Sequence, residues 1–278
     1  MLRSMNDLKD YTIHATDGNI GHVKDFYFDD KRWVIRYLIV DTGGWLSSRK
    51  VLISPIAIGM PNWRERMLPV SITKEQVKNS PDIDTAKPVS RQHEIEYLGY
   101  YNYPLYWGGM GLWGEEAYPN LMVAGAGGLA TEPPIFQSPS GNIDDADAEV
   151  AEHQKEDPDL RSCVAVTGYG IKASDGEIGH VTGFLVDEET WAIRYMIVET
   201  GNWWLGHKIL VAPQWIDAVS WVDAKVSLQL TRQAIKDAPA YDPSVALTRE
   251  QESEIYRHYG HPGYWASQAE REEVLSPD

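Results

Sequence analysis

Few residues in this chain combine the type and the spacing that chemistry needs. His258-x-x-His261 has the separation of two metal ligands. No cysteine lies near it, and Tyr100 and Tyr103 hold the equivalent places in an upstream copy of the same segment, so no metal site is expected there. His22 and His180 each follow a glycine at matching positions, and one histidine per copy would titrate near neutral pH. The plainer reading is a strand histidine at the rim of a small barrel. His207 is matched by Arg49, which reads as an exposed polar position. Arg36 and Arg194 sit among apolar neighbours. A guanidinium removed from water needs a carboxylate, and Asp29 and Asp187 recur at a fixed distance, so structural ion pairs are expected, with an anion site as the other reading. The stretch from Leu121 to Ala130 imitates a dinucleotide-binding glycine turn, but Thr131-Glu132-Pro133-Pro134 follows where a helix must receive the pyrophosphate. No Ser-His-Asp or Cys-His grouping is legible, and Cys163, the one cysteine, reads as a small half-buried residue. These observations predict no catalytic residue, no cofactor and no metal. What remains is aromatic: Trp45, Trp203 and Trp204 at turns, with Tyr106, Trp107, Tyr264 and Trp265 in two extended arms. Turn tryptophans usually serve as packing lids. Exposed ones anchor partners, because Trp and Tyr dominate interface hot spots. These seven residues are the candidate interaction surface.

The elements that position them are written twice. Asp17 to Pro55 and Asp175 to Pro213 superpose without a gap at a shift of 158 residues, and the same shift matches Tyr106-Trp107 to Tyr264-Trp265. In the first copy, Leu8 to Ala15 reads as a strand and Thr16-Asp17-Gly18-Asn19 as a hairpin turn. Ile20 to Asp29 is a second strand, with Gly21 marking a bulge or bend. Trp33 to Asp41 is a third, with Trp33, Ile35, Tyr37 and Ile39 on one face and Val34, Arg36, Leu38 and Val40 on the other, as in a strand covered on both sides. Lys50 to Ser54, Ile56–Gly59 and Arg66–Ser71 would complete five or six strands. Thr73 to Gln76 is a capping-box start of a short helix, and Arg91 to about Tyr101 a second helix with Ile95, Leu98 and Tyr101 to one side.

The combined pattern, Asp-Gly-x-Ile-Gly-His-Val, then Trp-x-Ile-Arg-Tyr-x-Ile-Val, then Thr-Gly-x-Trp, then Lys-x-Leu-x-x-Pro, resembles the PRC-barrel family over residues 8–80 and 166–238. That small β-barrel is also found in the photosynthetic reaction centre H subunit and in the ribosome maturation factor RimM. The H subunit carries a membrane helix ahead of its barrel and RimM a single such unit, so neither role transfers directly. The helix and aromatic arm after each barrel look like the extension of stand-alone bacterial members, some tied to stress responses. The resemblance implies a fold more than a reaction.

The expected fold is mainly β: two tandem small PRC-type β-barrels, each followed by short helices and an aromatic arm, paired with pseudo-two-fold symmetry. Residues 1–88 hold the first barrel, 89–107 its helix and arm, and 161–246 the second barrel; 247–278 carry its helix, arm and an acidic tail. Between them, 108–160 reads as a linker, rich in Gly and Pro and then acidic, with eight acids and one Lys from Asp144 to Asp159. Within it, Leu112, Trp113, Leu121, Met122 and Val123 are apolar enough to dock onto a barrel.

A net charge of −16 argues against nucleic acid or an anionic membrane as partner. The opening residues lack the apolar core of a signal peptide and no run of 18 apolar residues exists, so a cytoplasmic protein without membrane insertion is expected. The aromatic content is skewed, with 11 Trp and 15 Tyr against 4 Phe, toward residues that work where packing meets a partner. The functional expectation is a non-enzymatic protein-interaction or assembly module, stress-linked as the resemblance implies, binding a protein partner or itself as a homo-oligomer. The alternatives are a reaction-centre-H-like accessory of membrane electron transfer and a small-ligand or metal-binding protein.

Overall fold

The structure, a computed structural model, describes residues 1–82, 89–124, 160–201 and 207–266. The chain divides into two compact units, each organised by one repeat. The first-repeat unit spans Leu8–Ser162 and Glu189–Ala192; the second-repeat unit takes Met1–Asp7, Cys163–Glu188 and Ile193–Asp278.

In the first-repeat unit, β2 (Thr12–Ala15), β3 (Gly18–Asp29), β4 (Val34–Asp41), β5 (Lys50–Ile53) and β6 (Met67–Pro69) form a sheet in the order β5-β4-β3-β2-β6. A short strand from far along the chain, β7 (Leu160–Ser162), joins it on β3. The β2–β6 pair is parallel and the rest antiparallel. The second-repeat unit repeats the plan. Its strands β8 (Gly170–Ala173), β9 (Gly176–Asp187), β10 (Ile193–Thr200), β11 (Lys208–Val211), β12 (Ile216–Ser220) and β13 (Lys225–Leu228) run β11-β10-β9-β8-β13-β12. Here β1 (Leu2–Ser4) is the added strand, on β9.

The strand paths correct one expectation, the start of β4. Among the described residues each sheet runs as an open path of strands. After β5 the chain turns through a single 3-10 turn at Pro55–Ala57, and only isolated bridges, Ile58–Val70 and Asn62–Met67, continue the pairing. Trp33 is a turn residue and not the start of β4. Its φ of 55° is left-handed, as is Trp191 at 58°, and its ring stacks on Phe28 at 5.1 Å. β4 itself is buried on both faces from Val34 to Val40, as its apolar run predicts.

Both long hairpins are bulged in the same places. Val23 pairs Val40 and Asp25 pairs Ile39, leaving Lys24 extra; Tyr27 pairs Tyr37 and Phe28 pairs Ile35, leaving Arg36 extra. The second copy leaves Thr182 and Arg194 extra. A bulge re-aims the side chain it carries, and here it is the repeated arginine.

Short helices close the ends: α1 (Met5–Leu8), α2 (Lys74–Asn79), α3 (Arg91–Tyr101), α4 (Leu121–Ala124), α5 (Cys163–Val166), α6 (Arg232–Lys236) and α7 (Arg249–His258). The capping box of α2 is present, with Gln76 N–H donating to Thr73 Oγ1 at 3.1 Å and Thr73 N–H to Gln76 Oε1 at 2.8 Å. The Asp-Gly hairpin adds to it: Lys74 N–H donates to Asp17 at 2.8 Å, and Arg232 N–H to Asp175 at 2.7 Å in the other copy. A carboxylate at a helix start is favoured by the orphan amides there. No helix among the described residues is long and apolar enough to cross a membrane.

Candidate functional site

Each unit buries the carboxylate of a glutamate on the helix that follows its sheet. In the first-repeat unit it is Glu94 of α3, 3% exposed. Tyr37 of β4 and Tyr106 of the arm both donate their hydroxyls to Glu94 Oε1, the first at 3.2 Å, and Arg91 donates to Oε2 at 2.9 Å. Arg36 lies beside them, 1% exposed, because the bulge in β4 turns it inward while Tyr37 keeps its place in the ladder. Its guanidinium donates to Asp29 Oδ2 at 2.9 Å and to the Leu112 carbonyl at 2.7 Å. It also lies 4.0 Å from the ring centre of Tyr106 and 4.8 Å from that of Trp113. Asp29 accepts further from the amides of Lys31 and Arg32.

The second copy has the same parts. Glu252 accepts from Tyr195, Tyr264 and Arg249, each at 3.0 Å. Arg194 donates to Asp187 at 3.4 Å and lies 4.1 Å from the Tyr264 ring centre. This copy is more open: Arg249 is 50% exposed where Arg91 is 14%.

In the first copy the residues after the arm add further contacts. Composition assigns Gly108 onward to a linker, but Gly108–Met122 packs on the first-repeat unit. Trp113 is 1% exposed and its indole donates to the Thr190 carbonyl at 2.8 Å. Arg32 holds the carbonyls of Gly109 and Gly111, as Arg36 holds that of Leu112. Glycine and polar loop composition concealed a stretch whose backbone acceptors are bonded to the guanidinium groups of half-buried Arg32 and buried Arg36. Met122 is also buried, while Leu112 is half-buried and Leu121 exposed. Residues 125–159, which include the rest of the glycine turn and the acidic stretch, lie outside the described residues.

The seven aromatic candidates fall into distinct settings. Tyr106 is 2% exposed, which removes it from any surface; its hydroxyl is committed to Glu94. Tyr264 is half-buried on Glu252. Trp107 is half-buried with the Arg91 guanidinium 4.3 Å from its ring centre, and Trp265 is 38% exposed with Arg249 at 4.2 Å. Such stacking keeps an arginine and an indole presented together. Trp45 is half-buried, its indole bonded to the Ile20 carbonyl and Lys74 4.5 Å from its ring. It borders an open hollow of about 320 Å³ shared with His22, Lys24 and Asp41. Trp203 and Trp204 lie outside the described residues.

The histidines do not converge. His22 and His180 are exposed on their strands. His258 bonds the Ala234 carbonyl at 2.7 Å and His261 stacks on Trp215 at 5.7 Å, so the two rings serve different partners. Cys163 is buried, its sulfur 3.8 Å from that of Met5. No group of three His, Cys, Asp or Glu with metal-binding geometry occurs among the described residues.

Glu94 and Glu252 escape a reading by apolar pattern, which turns Ile95 inward; the helix instead buries Glu94 with Tyr97, Leu98 and Tyr101. The signal available was identity across the repeat, since Arg91-x-x-Glu94 returns as Arg249-x-x-Glu252. Burial raises the Glu94 carboxyl from 4.5 to about 7 against the opposing pull of Arg91 and the tyrosine hydroxyls, and it raises Glu252 in the same direction. The folded state therefore holds a proton that the unfolded chain releases. Stability from this group is greatest below the unfolded value and falls as pH rises through about 7, by roughly 3 kcal/mol in all. Urea midpoints should drop between about pH 5 and 8, and Glu94→Gln should remove most of that slope. A slope unchanged in the variant would contradict this assignment.

These groups face one another and not a solvent-filled cleft. They knit helix, arm and sheet, and they leave an indole on a guanidinium at the outside of each unit. No curated protein matches this chain. Residues 3–77 match the family model of the PRC-barrel domain. The resemblance read from the first repeat is thereby established for that segment: the chain carries a PRC-barrel domain.

Proposed function

We propose that this chain is a non-enzymatic protein-interaction module that binds through the arginine-stacked tryptophans of its two arms. The observation that carries the reading is Trp265, 38% exposed on Arg249, in the repeat position of Trp107 on Arg91. A rigid indole held by a guanidinium costs little entropy to immobilise and belongs to the residue types that dominate hot spots. The buried Glu94 and Arg36 networks support a structural and not a catalytic use of the polar residues, because each is occupied by neighbours from its own unit. The recurrence of the pair suits a partner with two sites or a second copy of the chain. A cytoplasmic setting, closure of each sheet toward a barrel, an approximate two-fold relation between the repeats and a link to stress responses belong to the same proposal. They draw on the single cysteine, the gapless repeat and the resemblance. The test is photo-crosslinking from benzoylphenylalanine placed at position 107, at 265, and at the exposed control Val222. Protein adducts specific to 107 and 265 are expected; adducts equal to those from 222 would count against the surface.

A further inference from the structure

The PRC-barrel match begins at residue 3, yet residues 3–7 do not join the sheet built by the rest of the matched segment. They belong to the second-repeat unit, where Leu2, Arg3 and Ser4 pair Asp187, Val186 and Leu185 of β9. The first-repeat sheet takes its matching strand from β7, in which Leu160, Arg161 and Ser162 pair Asp29, Phe28 and Tyr27 of β3. The register is identical under the 158-residue shift, and both donor strands read Leu-Arg-Ser. So is the recognition: Arg3 Nε meets Glu188 at 2.8 Å, and Arg161 Nε meets Asp30, the equivalent residue, at 2.8 Å. The donor leaves through equivalent left-handed residues, Asp10 at φ 65° and Gly168 at φ 95°.

We infer that the edge of β9 is a strand-acceptor site that reads an extended Leu-Arg-Ser segment through Glu188, and that Leu2–Ser4 of a second copy of this chain fills it, giving a strand-exchanged dimer. A main-chain ladder supplies affinity and the arginine–carboxylate pair supplies selectivity. A segment exchanged between copies remakes the bonds it loses, so exchange costs little beyond association. The donor is held by three ladder residues, the part-buried Arg3–Glu188 pair, the Glu188 N–H bond to the Met1 carbonyl at 3.0 Å and the buried Met5 behind it, all from one terminal segment that opens and re-forms together. The chain's own strand competes at an effective concentration on the order of mM, which sets the scale for exchange in the wild type.

Complementary charge reversal tests this on full chains. Arg3→Glu sets like charges against each other within one chain, and so does Glu188→Arg. Mixed in equal amounts, the two variants match only in trans, at both acceptor edges. Light scattering and native mass spectrometry should show a heterodimer, at concentrations about tenfold or more below those at which wild type dimerises. Each variant alone, and the Arg3→Glu/Glu188→Arg double variant, should stay monomeric at those concentrations. A mixture that remains monomeric up to about 1 mM overturns the inference. Should either single variant fail to fold, isotopically heavy and light wild-type chains held together at about 1 mM decide instead, beside chains lacking residues 2–4: mixed-mass dimers that vanish with the deletion support the exchange, and their absence in wild type or persistence in the deleted chain overturns it.

Discussion

Arg36→Met should cost about 3–5 kcal/mol, the cost of stripping one partner from a buried ion pair. Arg36 is 1% exposed and Asp29 8%, so the carboxylate left behind has little water to turn to. The substitution also empties the donor bonds to Asp29 and to the Leu112 carbonyl, and removes the cation from the faces of Tyr106 and Trp113. The loop after the first arm should loosen, visible as faster amide exchange over Gly109–Trp113. Two comparisons isolate the cause. Arg36→Met with Asp29→Asn should recover part of the loss, because the unpaired charge is gone. Arg194→Met should cost about 1 kcal/mol, since that pair is longer, at 3.4 Å, and its side chains are 18% and 17% exposed. Because the chain holds two units, chemical unfolding should be followed by probes in each, not read as one transition. Equal losses from Arg36→Met and Arg194→Met would contradict the ranking.

Gly21→Ala should be as damaging, by about 3 kcal/mol or more. A Cβ there would stand 1.9 Å from the Asp41 carbonyl oxygen and 2.9 Å from the Thr42 Cα. These are backbone atoms of the neighbouring strand, so no side chain can move aside. Relief requires β3 and β4 to part at the His22–Asp41 pair. Gly179→Ala meets the Glu199 carbonyl oxygen at 1.9 Å and should behave alike. Gly59→Ala is the control: its nearest neighbour would be the Pro69 carbonyl oxygen at 3.7 Å, an ordinary contact, and the change should stay within about 0.5 kcal/mol. Thermal and urea unfolding of the three variants would check the order; a tolerated Gly21→Ala would show that the strands are spaced more widely than described.

The repeat, the long β3–β4 hairpin, the capping box at Thr73 and the Arg36–Asp29 partnership were legible because each is local or duplicated. Gly21 was marked as a special backbone position, though the reason is the approach of Asp41 as much as the bulge beside it. Other features were hidden for physical reasons. Glu94 occupies a buried helical position that an apolar pattern cannot register. The glycine-rich loop at 109–114 looks like linker because its order comes from guanidinium groups distant in sequence. Leu-Arg-Ser is too short to signal a strand, and its pairing with β9 spans about 180 residues, beyond any periodicity. A strict period of two also misplaces Arg36, since the bulge slips the register at that residue.

Affinity capture from native lysate, run in parallel with wild type and with Trp107→Ala/Trp265→Ala, tests the interaction surface most directly. Both tryptophans lie outside the Glu94 and Glu252 hydrogen bonds, so the double variant should keep its fold and a stability within about 1 kcal/mol of wild type. A protein captured by the wild type and reduced at least tenfold with the folded double variant is the predicted result. Equal capture by both would place binding elsewhere on the chain and contradict the account.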